Sequence, residues 1–211
     1  MQKSSPDTNI LIYGIVGSEN NYQEELSKDY LDLRLDDSHR QLVLQDVISE
    51  YRRVLKKQVG RMRPLLRVAS STGSFEKAED RCSLNNVHEN FWNEVKRLYN
   101  PENVQKDVSN FKRGKISQMQ RRVNNMTIIE DECVLDQEKL SMIETEINEE
   151  KNVKTDAIIL YKALLLSEDH EEVILVSEDG DIRNCNLKEL KDIIGAGKCG
   201  NMSIQGLRTF F

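Results

Sequence analysis

Apolar positions along this chain fall into two patterns, short unbroken runs and longer stripes at helical spacing. Val173-Ile174-Leu175-Val176 is an unbroken run that reads as a short strand buried on both faces. Three further strands are expected at 41–44, 126–129 and 202–204. Helical stripes lie between them. Asp7 can cap a helix whose apolar side is Ile10, Leu11, Ile12, Ile15 and Val16. Val47, Ile48, Tyr51, Val54 and Leu55 predict a helix over about 46–59, entered directly from the strand at 41–44. Leu140, Ile143 and Ile147 mark a helix over 135–147, and Ala157, Ile158, Leu160, Tyr161, Leu164 and Leu165 another over 154–166. A polar helix over 186–194, a turn at Gly195, Gly197 and Gly200, and a terminal Leu207-Phe210-Phe211 anchor complete the chain. The stretch 18–37 is polar, helix or loop.

Strands that alternate with helices imply parallel pairing and right-handed crossovers. The expected class is α/β: a central, mainly parallel sheet flanked by helices in a Rossmann-like three-layer arrangement. Residues 61–122 break the rhythm. Ser/Thr/Gly breaks at 70–74 precede an amphipathic run of Phe91, Trp92, Val95, Leu98 and Tyr99, and Pro101 interrupts before a basic section. This segment is expected to be a helical insertion in a single domain, with Trp92 and Tyr99 in its core.

The chain has 211 residues, enough for one sizeable core, and a net charge of −6. No run of apolar residues approaches the length of a membrane span, and no signal-peptide core stands at the N-terminus. Cys82, Cys133, Cys185 and Cys199 form no CxxC pair and have no histidine at ligand spacing. Reduced thiols in a cytoplasm are expected, without a zinc site. His39, His88 and His170 stand in polar surroundings and read as surface residues. The acidic balance reverses locally: residues 96–122 carry eight Lys/Arg against two acids. That run is either a solvated helix face or a phosphate-backbone contact, with Lys112, Arg113, Lys115, Arg121 and Arg122 as the nucleic-acid candidates.

Past Val176 the chain delivers Asp179 and Asp181 around Gly180. In open α/β sheets ligands sit beyond the carboxyl ends of strands, so these acids suit a cation; a polar turn would use the same residues. Asp7, Glu50 and Asp156 likewise stand at helix starts or just past strands. The segments "DTNILIY", "VISEYRRVL", "TDAIILYKALL" and "ILVSEDGDI" together resemble the PIN-domain nuclease family. That family has an Asp-Thr-Asn opening, a helix-borne Glu, an Asp starting a later helix, and Thr/Ser-x-Asp-x-Asp after a buried strand. All four occur here in the family's order, over roughly residues 6–60 and 124–206.

The resemblance implies a PIN-like fold and a metal-dependent endoribonuclease, active in toxicity, defence or RNA processing, that leaves a 5′-phosphate. Asp7, Glu50, Asp156 and Asp179 would be the principal metal ligands or their supports, with Asp181 acting through water. Thr8, Asn9 and Ser177 match positions that orient those acids. Clustered carboxylates repel and must protonate or hold cations, and hard oxygen donors suit Mg²⁺ or Mn²⁺. RNA is the implied substrate, and a homodimer or an inhibitory protein are implied partners. Two departures stand out. Met1 to Pro6 is polar where the family has an apolar strand, so that strand is expected to be short or replaced. Glu50 and Asp156 are also far apart, which the insertion at 61–122 would explain.

Three alternatives fit these residues less well. A haloacid-dehalogenase-like phosphatase carries its D-x-D after the first strand, whereas here it lies near the C-terminus. An EF-hand fails because Arg183 and Asn184 occupy ligand and glycine positions. A catalytically silent PIN-like scaffold, binding RNA or a protein through the insertion, has no need to keep like charges clustered.

Overall fold

Gln2–Pro6, the polar stretch where the first strand was expected to be short or replaced, is a five-residue strand, β1, at the centre of the sheet. The computed structural model describes residues 2–18, 21–33, 39–84, 87–130, 134–148, 153–167, 172–195 and 200–210. Cys133, His170, Gly197, Cys199 and Phe211, and the side chain of His39, lie outside what is described. β1 needs no apolar side chains because its ladder is made by backbone groups on both edges. Ser4 and Ser5 are completely buried, and small side chains suffice there. The Tyr30 hydroxyl donates to Ser4 Oγ at 3.1 Å.

The other strands are β2 (His39–Leu44), β3 (Thr127–Ile129), β4 (Glu172–Val176) and β5 (Met202–Gln205). All pairings are parallel, in the order β3-β2-β1-β4-β5. Val173, Ile174, Leu175 and Val176 are all buried. Since successive side chains point to opposite faces, both faces of β4 are covered. The order steps outward from β1 in two directions, so the switch point of the sheet lies between β1 and β4. The register there sets Pro6 beside Val176, and the Asp7 amide extends the pairing by donating to the Val176 carbonyl at 2.8 Å.

Helices α1 (Thr8–Ile15) and α2 (Asn21–Asp32) follow β1. They approach closely at Gly14, where a Cβ would lie 2.6 Å from Leu31 Cδ1 and 3.2 Å from the Ser27 carbonyl oxygen. α3 (Gln45–Thr72) runs 28 residues, well beyond the expected end at 59 and through Gly60 and Pro64. Packing overrides propensity: Met62, Leu65, Leu66 and Ala69 continue the buried stripe, while Pro64 faces solvent. Gly73, at φ 65°, ends the helix, and Ser74 caps α4 (Phe75–Arg81) by accepting from the Lys77 amide at 3.1 Å. The break expected at 70–74 falls at Gly73 and Ser74, with residues 70–72 still helical, and the start of the insertion at 61 falls inside a helix.

The rest of the insertion is α5 (Glu89–Leu98) and α6 (Val104–Val123). Phe91, Trp92, Val95, Phe111 and Met119 belong to the same hydrophobic cluster as Ile10, Val43 and Leu175. Trp92 stacks edge-on against Phe75 at 5.4 Å, and its indole donates to Glu79 at 2.6 Å. It is core, as its spacing predicts. Tyr99 is only partly buried and packs against that core beside Phe111. After β3 come α7 (Gln137–Ile147) and α8 (Lys154–Leu166); α9 (Gly180–Arg183) and α10 (Leu187–Ile194) follow β4, and α11 (Leu207–Phe210) follows β5. No described helix is long and apolar enough to cross a membrane.

Candidate active site

The switch point puts the residue after β1 beside those after β4. Asp7 caps α1, its Oδ1 accepting from the Thr8 amide at 2.6 Å. Its Oδ2 accepts from Ser177 Oγ at 2.9 Å and from Asn9 Nδ2 at 3.5 Å. Asp7 is 1% exposed. Burial pushes its carboxyl up to about 7; the charges of Asp156 and Glu50 add to this, while the hydrogen bonds from Ser177 and Thr8 pull against it. Ser177 also accepts from the Asp179 amide at 3.0 Å, and Asp179 Oδ1 accepts from the Asp181 amide at 2.8 Å. One buried hydroxyl thus ties the loop after β4 to the acid after β1.

Glu50 reaches the same place from α3. Its Oε2 accepts from Thr8 Oγ1 at 2.8 Å and its Oε1 from Arg53 Nη2 at 2.9 Å. Arg53 Nη2 donates in addition to Thr155 Oγ1 at 3.0 Å, which bridges α3 to the first turn of α8. Asp156 sits in that turn. Burial first, and then the charges of Glu50, Asp179 and Asp181, push its carboxyl up to about 7, with Arg53 offsetting part of the rise. Asp7, Glu50, Asp156, Asp179 and Asp181, drawn from four separate stretches at the switch-point end of the fold, are linked through Asp156, whose carboxyl feels Glu50, Asp179 and Asp181 and which acts in turn on Asp7. Cys185 feels some of these acids too: burial and the charges of Glu146, Asp181, Asp179 and Asp156 push its thiol up to about 11.

Among the described residues, no three acidic, histidine or cysteine side chains stand close enough to grip one ion. The donor chemistry nevertheless fits a hard divalent cation, because the acids are all oxygen donors and two of them are held up by burial and mutual repulsion. Thr8, Asn9 and Ser177 all hydrogen-bond an acid of the cluster. Glu178, beside them, faces elsewhere: it accepts from the Leu207 amide at 2.7 Å and from Gln23 at 3.2 Å. Arg53 was not among the expected residues, although its place three positions after Glu50 puts the two on one helix face.

The basic candidates stand apart from the acids, on α6. Arg113 and Arg121 are exposed, Lys112 is half-buried, and Arg122 pairs with Asp32 of α2. Lys115 is not the surface phosphate contact expected of it. It is 4% exposed, and its Nζ donates to the Ile15 carbonyl at 2.7 Å and to Glu94 at 2.5 Å. A charge run at mixed spacing gives no sign of which member turns inward, and here helical periodicity puts Lys115 between buried Phe111 and Met119.

Compared with known proteins, the chain matches no family model, no curated sequence and no solved structure.

Proposed function

We propose that this protein is a PIN-like, metal-dependent endoribonuclease that hydrolyses RNA phosphodiester bonds at the acidic cluster beyond β1 and β4. The observation that carries the proposal is the meeting of Asp7 and the Ser177-to-Asp181 loop at the switch point of a parallel sheet, where such folds bind ligands. Under mutual repulsion and burial these carboxylates either hold protons or are joined by positive charge, which a divalent cation would supply. Asp7, Glu50, Asp156 and Asp179 would hold Mg²⁺ or Mn²⁺, with Asp181 reaching it through water. When bound, the ion neutralises phosphoryl oxygens and acidifies water.

The chain's own part is positioning. Thr8 fixes Glu50, Ser177 fixes Asp7, and Arg53, 66% exposed at its side chain, offers a guanidinium to a substrate phosphate beside the acids. Water adds to phosphorus, the bond to the 3′ oxygen breaks, and that oxygen leaves with a proton, so the products are a 5′-phosphate and a 3′-hydroxyl. The half-buried, unpaired thiols Cys82 and Cys185 suit a reducing cytoplasm.

The test uses purified full-length chain with single-stranded and structured RNAs, with Mn²⁺ or with chelator. Cleavage with Mn²⁺, its loss with chelator and its loss in Asp179→Asn at unchanged thermal stability are expected. Intact RNA under every condition would reject the reading. One observation favours a silent PIN-like scaffold instead: Arg53 already holds Glu50, and no three acids are within reach of one ion among the described residues. In that case RNA binds but is never cut.

A further inference from the structure

A second site lies at the other end of α1. A cavity of about 660 Å³ opens between the last turn of α1, α2, α5 and α6, and it shares no residue with the acidic cluster. Since α1 has eight residues, its far end is roughly 12 Å from Asp7 along the helix axis. The wall is basic. Lys28, Arg97, Lys115, Arg121 and Arg122 face Glu24 and Glu94, a net of +3 in a chain of net −6. Most of these cations are paired: Glu94 accepts from both Arg97 and Lys115, Glu24 pairs with Lys28, and Arg122 pairs with Asp32 of α2, so Arg121 is the lining cation with no ion pair among the described residues.

Independent of charge, Asn90 lines the same cavity at 6% exposure, and its Oδ1 is buried with no hydrogen-bond partner. An unsatisfied buried acceptor is destabilising. A ligand donor removes that cost. Gly14, which also lines the cavity, holds α1 and α2 close and so sets its narrow side.

We infer that this cavity binds a small phosphate monoester that also carries hydroxyl or amino donors, of the size of a sugar phosphate or mononucleotide. The volume lies within the range of small-molecule sites and far exceeds a bare anion. Guanidinium groups match phosphate oxygens in paired hydrogen bonds, and Arg121, which lines the cavity, is exposed. The polar remainder of the ligand meets the Asn90 amide once it turns its buried Oδ1 toward the cavity. A concave pocket of this size takes one residue of a chain, not a strand of RNA.

The experiment is titration calorimetry on the full chain in the presence of chelator, so that its outcome does not depend on the acidic cluster. The probes are adenosine 5′-monophosphate, ribose 5-phosphate, inorganic phosphate, adenosine and a short oligouridylate. At least one of the two esters should bind one-to-one, more tightly than inorganic phosphate, and adenosine should not bind. Arg121→Glu should weaken that ester by at least about tenfold, the worth of one charge-assisted contact. Arg97→Ala should act in the same direction, whereas Arg113→Glu, on α6 but outside the cavity, should leave affinity unchanged. The assignment is overturned if neither ester binds at millimolar concentration, or if adenosine binds as well as its phosphate. It is equally overturned if Arg113→Glu weakens binding as much as Arg121→Glu, or if the oligouridylate outcompetes both esters.

Discussion

Ser177 Oγ and Asp7 Oδ2 are 2.9 Å apart although 170 positions separate them in the chain. The bond joins the ends of two neighbouring strands and leaves a buried carboxylate with a donor to each oxygen. Ser177→Ala removes that donor and also the acceptor of the Asp179 amide. A buried group stripped of its partner costs about 1–3 kcal/mol, and a charged one sits at the upper end. Urea denaturation at pH 8 should show a loss of that size, smaller at pH 5, where Asp7 is protonated. Ser177→Thr keeps the hydroxyl and should recover most of it.

Asp7 also sets a dependence on pH. Its carboxyl stands at about 7 in the fold against an ordinary 3.8, chiefly through burial. Between those values the folded chain holds a proton that the unfolded chain releases. Stability therefore falls as pH rises through about 4 to 7, and the penalty is complete above 7. Asp156, raised to about 7 as well, adds in the same direction. Asp7→Asn should then be more stable than the parent at pH 8, by at least about 1 kcal/mol, and little different at pH 4. Equal midpoints at pH 8 would show that Asp7 ionises without cost.

The same repulsion predicts the response to metal. Millimolar Mn²⁺ should raise the thermal midpoint at pH 8, since an ion at a hundred times its Kd adds about 2.7 kcal/mol. Chelator should reverse the rise, and Asp156→Asn and Asp179→Asn should blunt it. An unchanged midpoint would count against a cation at these acids, whatever the activity.

The sheet and the site differ in how far they could be read from the chain. β4 announces itself because four consecutive apolar residues have only one economical place, inside a covered sheet. β1 does not, because a central strand is held by backbone hydrogen bonds and tolerates buried serines that no hydropathy pattern marks. The length of α3 is hidden by Gly60 and Pro64, helix breakers that its buried stripe overrides. Asp7, Glu50, Asp156, Asp179 and Asp181 were legible as boundary residues, but their mutual influence exists only once the strand order is known. Arg53 and the inward turn of Lys115 depend on which face of a helix is covered, which a charge count does not record.

Lys115 and Glu94 form a buried pair whose two halves are unequally replaceable. Burial raises the Glu94 carboxyl, but hydrogen bonds from Arg97 and Lys115 and their charges outweigh it and hold it below the ordinary value. Burial pulls Lys115 below its ordinary value, and Glu94 offsets only part of that. Glu94→Gln leaves the ammonium facing only the Ile15 carbonyl and a neutral amide, and should cost about 3–5 kcal/mol in urea denaturation. Lys115→Met leaves Glu94 with its bidentate Arg97 and should cost clearly less. The reverse order would mean that Arg97, rather than Lys115, is the dispensable partner.

Arg53 separates substrate contact from scaffolding. Its side chain is 66% exposed, and its bonds to Glu50 and Thr155 lie at the rim of the acids. An exposed ion pair contributes little to stability, so Arg53→Ala should shift the urea midpoint by less than about 0.5 kcal/mol. Its guanidinium is nonetheless a positive charge acting on Asp156. A substrate phosphate entering the cluster needs that charge against the repulsion of the carboxylates. Arg53→Ala should therefore raise KM for RNA cleavage by about tenfold, the worth of one charge-assisted contact, with a smaller change in kcat. Arg53→Lys keeps the charge but not the fork and should fall between. If KM stays fixed while kcat drops, Arg53 instead holds Glu50 in place, and Thr8→Val should then reproduce its effect.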